Sequence, residues 1–310
     1  MRRLIALLAL LTALTACGAA PEQAEGPEDV PMTELAPAVS ADSGALRDQA
    51  VFAQAAPEPL SYTVELEMLE DSTLSESGTE LVRRSYQLPV MTVTAADGSL
   101  LTEADTLDEA AALEAAEAFN SQFTDWAAAD GLDEMAAIAE EDRIFRTESG
   151  FPWNPHFLEL TCSVYQTEQM VSVRGEYYTF TGGAHPNTVL LSWNFDLTTG
   201  QFFSPEQLAA DGEAFSQAVT AELLRQSRET AAENGMTPEE FFWTDYQDIL
   251  ASWGSYAVSF DETGMTVAFS PYELAAYAAG AQVYHLDYGR FAGTLSPHGL
   301  ALLGLAAVEK

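Results

Sequence analysis

From Leu60 onward, apolar and polar residues alternate along the chain. The stretches "LSYTVELEML" and "GTELVRRSYQLPVMTV" change side with each residue, the period of a half-buried strand. They predict a strand pair with an irregularity at Pro89, which has no N–H for a ladder. Asp97-Gly98 marks a turn. The period then changes. Thr106 and Glu109 form a capping box, and Leu113, Ala116, Phe119, Phe123 and Trp126 follow at near-helical spacing until Gly131. A second helical pattern runs through Met135, Ile138 and Ile144 and stops near Gly150 and Pro152.

Three alternating runs come next, His156–Tyr165, Met170–Thr181 and Thr188–Leu197, and predict an antiparallel meander. Helix starts are then signalled at Ser204-Pro205 with Gln207, at Thr237-Pro238 with Glu240, and at Ser270-Pro271-Tyr272-Glu273, the last ended by Gly280. Between the last two, "SYAVSFDETGMTVAFS" reads as a hairpin turning at Glu262–Gly264, and "AQVYHLDYGRF" supplies a final strand. Grouped strands with short links predict an α+β fold of short, mostly antiparallel sheets with packed helices. In the meander, Tyr178 and Phe180 share the face opposite Tyr177, while Trp193 and Phe195 occupy alternating positions of the next strand. One face must be core, and the other is a candidate platform for a sugar or a protein partner.

Charge narrows the partners. The chain has 310 residues with 48 acidic against 12 basic, a formal net charge of -36, and Lys310 is its one lysine. Such a field repels nucleic acid and anionic membrane surfaces and attracts cationic partners, although acidity also serves solubility alone. The N-terminus is more specific. Arg2 and Arg3 precede an apolar run from Leu4 to Leu14, too short to span a bilayer, and Leu14-Thr15-Ala16-Cys17 ends it. This predicts a lipoprotein signal peptide over residues 1–16, with Cys17 acylated and anchored to the outer face of a bacterial cell membrane. Residues 17–57, rich in Ala, Pro, Glu and Gly without periodicity, read as a disordered tether. Cys162, the only other cysteine, lies in a strand pattern and reads as a small buried hydrophobe.

The stretch "YTFTGGAHPNTVLLSWNFDLTTGQFFSPEQL" resembles the signature joining two small domains in RsiV/PdaC-like bacterial envelope proteins. The matching residues are Gly182, Gly183 and His185, then Asn194 and Asp196, then Gly200. A second family segment follows in order as Pro271-Tyr272-Glu273, Tyr277 and Gly280. Pro186 departs from the family's usual glycine after the histidine, and His285 stands where a hydrophobic-proline pair is typical. The resemblance implies two adjoining small domains, a PdaC-type domain over 58–198 and an RsiV C-terminal-like domain over 199–293, with a C-terminal tail over 294–310. It also implies a binding or sensor-like module outside the membrane. Deacetylase chemistry in such proteins belongs to a separate domain with an Asp-Asp nucleus and a His-x-x-x-His pair, a pattern this sequence lacks. RsiV-like proteins recognise lysozyme, so a basic lysozyme-type protein is the expected partner.

No catalytic residue, metal ligand or cofactor is assigned. His156, His185, His285 and His298 are scattered without zinc-site spacing, and no calcium loop, nucleophile elbow or phosphate loop occurs. His185 reads as a residue that pins a glycine turn through backbone bonds. The alternative is a glycan-binding or peptidoglycan-processing protein with a site near His185.

Overall fold

The alternation beginning at Leu60 becomes a curled six-stranded sheet in the order β1-β2-β3-β4-β5-β6. The computed structural model describes residues Leu60–Leu305, so the signal segment, Cys17 and the tether lie outside the described residues. β1 (Ser61–Leu74) and β2 (Glu80–Thr94) form a long antiparallel hairpin. The expected irregularity at Pro89 is absent: Pro89 pairs with Leu66 in step, and the register shifts instead between Thr73 and Leu74. The reason is topological. β3 (His156–Gln166) runs parallel to β2 only from Val82 to Tyr86, so at Pro89 no second strand needs an N–H from β2. Beyond that point helix α1 (Leu107–Ala128) takes over. Asn120 on α1 accepts from the Met91 N–H at 2.7 Å and donates to the Met91 carbonyl at 3.0 Å, as a neighbouring strand would.

β2–β3 is the one parallel pair among the named strands, because α1 and α2 (Leu132–Glu148) cross between them. β3, β4 (Met170–Phe180) and β5 (Asn187–Asp196) form the antiparallel meander, and β6 (Gln201–Phe202) closes the edge. The Thr106–Glu109 capping box starts α1, whose Phe119 and Phe123 pack with Tyr86, Leu160, Val173 and Phe195 in a first core. Helix α2 departs from its expected facing. Met135 packs on the first core beside the buried Ala136 and Ala139, while Ile138 and Ile144 point to solvent.

A second core gathers around α3 (Gly212–Glu233), N-capped by Asp211, with Phe215, Val219 and Leu223 buried. The Ser204 signal makes only a 3-10 turn, Pro205–Leu208, before it. The short helices α4 (Pro238–Phe241) and α5 (Tyr246–Ala251) follow. A three-stranded antiparallel sheet is built from β7 (Ala257–Phe260), β8 (Gly264–Phe269) and β9 (Gln282–Asp287).

The helix expected from Ser270 does not form. Its backbone is claimed elsewhere: the Trp243 N–H donates to the Leu274 carbonyl, and Ala275 bridges to Phe242. Only a 3-10 turn, Tyr277–Ala279, precedes Gly280. The segment after Thr294, up to Leu305, carries a helix that the sequence reading passed over. α6 (Pro297–Leu302) is capped by Ser296, and Leu302 and Leu303 join the second core. Among the described residues, no helix is long and apolar enough to cross a membrane.

Candidate functional site at the junction of the two cores

The glycine turn between β4 and β5 touches both halves of the fold. Gly182 sits at φ +77°, and a Cβ there would lie 2.6 Å from Asp142 Oδ2 and 3.0 Å from His156 Nε2. Glycine is therefore required for backbone conformation and for space. Its carbonyl accepts from Arg146 at 2.6 Å, and Arg146 is paired with Asp142 at 2.7 Å. His156 beneath it is fully buried, with neither ring nitrogen in a hydrogen bond and Asp142 3.6 Å away. Burial holds the His156 pKa below its ordinary value, against the pull of Asp142.

Gly183 and His185 are exposed on the other side of the turn. The His185 ring lies on Tyr277 with centroids 3.9 Å apart, its Nδ1 is 2.8 Å from the Pro186 carbonyl, and the Tyr277 hydroxyl donates to that carbonyl. Tyr272 completes the cluster, its ring 5.3 Å from that of Tyr277. Tyr272 is the one non-glycine residue at positive φ among those described, at +75°, and its side chain is 53% exposed. Trp243 Nε1 donates to the Tyr272 carbonyl at 2.9 Å, and Glu273 accepts from the Ser270 N–H, bracketing the strained residue. Pro271 precedes it, half-buried, and Gly280 at φ +71° ends the segment.

The β5 motif residues have separable jobs. β7 is an edge strand, and side chains on the face of the large sheet satisfy its open backbone. Ser192 Oγ accepts from the Val258 N–H, Asn194 Nδ2 donates to the Val258 carbonyl, and Ser172 Oγ accepts from the Phe260 N–H, each at 2.8 Å. Ser172 also donates to Asn194 Oδ1, so the two form one buried unit. Asp196 accepts from the Thr198 N–H and hydroxyl and lies 2.8 Å from His298 on α6. Burial pushes the Asp196 carboxyl up, but these bonds outweigh it and its pKa ends below the usual value. Gly200, at φ +67°, packs on Ala115 of α1.

The aromatic faces divide as the alternation requires. Tyr177, Trp193 and Phe195 turn toward the first core, whereas Tyr178 and Phe180 flank Phe157 outside, each ring 5.5 Å from it. A cavity of about 500 Å3 opens beside Phe157 and Phe180, fringed by Arg83 and Glu159. The Cys162 thiol is pushed up to about 12 by burial, which keeps it protonated. Among the described residues, no three His, Cys, Asp or Glu side chains converge as a metal site.

Sequence reasoning passed over Ser172, Ser192 and Trp243, and gave His156 no role beyond excluding it as a zinc ligand. The serines carried only a faint signal, because they sit among other polar positions of the sheet, Ser172 beside Asn194 and Ser192 beside Arg174. His156 and Trp243 carried no local signal, because their partners come from distant segments.

Residues 106–188 match the family model described as deacetylase PdaC, a span that runs from the Thr106 cap through the glycine turn. The fold is similar to that of a DUF3298 family member from Bacteroides fragilis, at TM-score 0.52 and 13% identity over 78% of this chain and 97% of that one. A DUF3298 family protein from Pseudomonas aeruginosa aligns over the same shares, at TM-score 0.44 and 17% identity. No curated protein matches the chain significantly in sequence.

Proposed function

We propose that this chain, with a PdaC-type segment over residues 106–188 and a fold like that of a DUF3298 protein, is an extracytoplasmic binding protein. A lipid on Cys17 holds it to the outer face of the bacterial membrane, and it captures a basic protein of the lysozyme type. The carrying observation is Tyr272. An exposed tyrosine held at φ +75° costs on the order of 1–3 kcal/mol, and such strain persists where the neighbouring structure displays a residue for use. Tyr272, Tyr277 and His185 together present an aromatic contact surface at the junction, the kind of anchor that dominates protein interfaces.

Charge supplies the sign of the partner. Arg83, Arg84, Arg143, Arg146, Arg225 and Arg290 are each tied to a carboxylate of the chain itself. The acidic excess of the chain, -36 overall, is therefore poorly opposed at the surface and attracts a basic partner. The test is calorimetric titration with a basic lysozyme at low and moderate salt, with an equally basic non-muramidase as control. The reading requires saturable binding to lysozyme that weakens with salt. Equal binding to both proteins, or none to lysozyme, refutes it.

The second reading is glycan binding on the outer face of the large sheet. It draws support from the Phe157–Tyr178–Phe180 stack and its adjoining cavity. Peptidoglycan fragments that quench Trp or Tyr fluorescence saturably would favour it.

A further inference from the structure

Helix α2 is apolar on two sides. Its inward side buries Ala136 and Ala139 and packs Leu132 and Met135 on the first core, while three further large apolar side chains face solvent, with Ile138 59%, Ile144 43% and Phe145 63% exposed. Phe151, just past the helix, is 59% exposed as well. A helix that only covered a core would not need a second set of large apolar side chains outside, since each forgoes the roughly 1.5–3 kcal/mol of burial.

The outward face is ordered by a seven-residue repeat. Seven residues turn through about 700°, so positions seven apart return to within about 20° of each other. Glu134, Glu141 and Glu148 therefore fall on one stripe, all exposed. Ile138 and Phe145 run along one side of it, and Ala137 and Ile144 along the other, all exposed too. The basic residues of the same helix do not neutralise the stripe, because Arg143 is paired with Glu140 and Arg146 with Asp142.

We propose that this face of α2 is a docking surface for a cationic amphipathic segment of a partner protein, one whose apolar side chains seat on Ile138, Ile144 and Phe145 while Lys or Arg meet the glutamate stripe. The surface itself argues for that occupant. A second copy of the chain would bring the same acidic stripe and a formal charge of -36 against it. An anionic lipid surface is repelled for the same reason, and membrane-surface helices carry basic residues on their polar face rather than glutamates. The inference does not depend on the Tyr272 surface, and the test separates the two.

The probe is a fluorescent peptide with Leu at two positions per heptad and Lys elsewhere, titrated into the full-length protein in detergent at low and high salt. Wild-type protein binds it saturably, and the doubly substituted Ile138→Ser, Phe145→Ser protein binds at least ~10-fold more weakly. Glu141→Gln weakens binding at low salt and has little effect at high salt. Tyr272→Gly leaves peptide binding unchanged. A scrambled peptide of equal charge and no apolar face does not distinguish wild type from the double variant. These side chains are exposed, so both variants keep their circular dichroism and melting temperature. Equal peptide binding by wild type and the double variant overturns the proposal. So does a wild-type dimer that the double variant abolishes, or vesicle binding that depends on Phe145.

Discussion

His185 lies flat on Tyr277, with ring planes 23° from parallel and centroids 3.9 Å apart, and the hydroxyl of the same tyrosine donates to the carbonyl of Pro186. The glycine turn of the large sheet is thereby fastened to the segment before β9. A stacked pair of this kind contributes about 0.5–1.5 kcal/mol, and a single hydrogen bond a similar amount. His185→Ala should lower the urea midpoint accordingly, and Tyr277→Phe should lose only the hydroxyl's share. Unchanged midpoints in both would show that the turn is held by other contacts.

Asn194 fixes the small sheet against the large one. Asn194→Ala strands the Val258 carbonyl and takes one partner from Ser172, all in a buried setting. The expected loss is about 1–3 kcal/mol in denaturant unfolding. A loss below about 0.5 kcal/mol would mean that water or a shifted side chain restores the bond.

His156 makes stability depend on pH in a defined direction. Its folded pKa lies below the ordinary 6.5, mainly through burial, so the unfolded chain binds the proton more readily. Stability should therefore fall as pH drops below about 6.5 and level off below the folded pKa. Asp142, Arg146 and the Gly182 backbone surround the ring, so the added charge has little water to meet it. His156→Phe should remove this component from the pH profile while the carboxylate-driven loss at lower pH remains. An identical slope in the variant between pH 6.5 and 5 would assign the effect to another group.

Cys162 should be inert. With the thiol pushed up to about 12, a Cys17→Ser protein should react with a thiol reagent at pH 8 far more slowly than it does once unfolded in urea. Rapid labelling of the native protein would show that the strand opens locally.

The sequence displayed its strands and caps more clearly than its facing. Period-two alternation located β1 to β5, and the Thr106–Glu109 box located α1, because these signals are local. The Ser270 signal misled for a tertiary reason: Glu273 does bond back to Ser270, yet Phe242 and Trp243 then take the backbone of Ala275 and Leu274. Helix α6 begins with the Ser296-Pro297 pair, the same device as at Ser204, and was within reach. The facing of α2 was not, because periodicity shows that a stripe exists but not which stripe meets the core. At the candidate site, the glycine turn and the Pro271-Tyr272-Glu273 segment were visible as motifs. Their contact through Tyr277 and the strain at Tyr272 arise only in three dimensions.

The most direct measurement pairs stability with binding in Tyr272→Gly. Glycine accepts φ +75° without penalty, so the substitution relieves strain of about 1–3 kcal/mol while removing an exposed ring. The expected result is a urea midpoint equal to or above that of wild type, together with at least ~10-fold weaker binding of a basic lysozyme. A clear loss of stability with lysozyme affinity retained would contradict it, and would make Tyr272 a structural residue rather than the displayed contact.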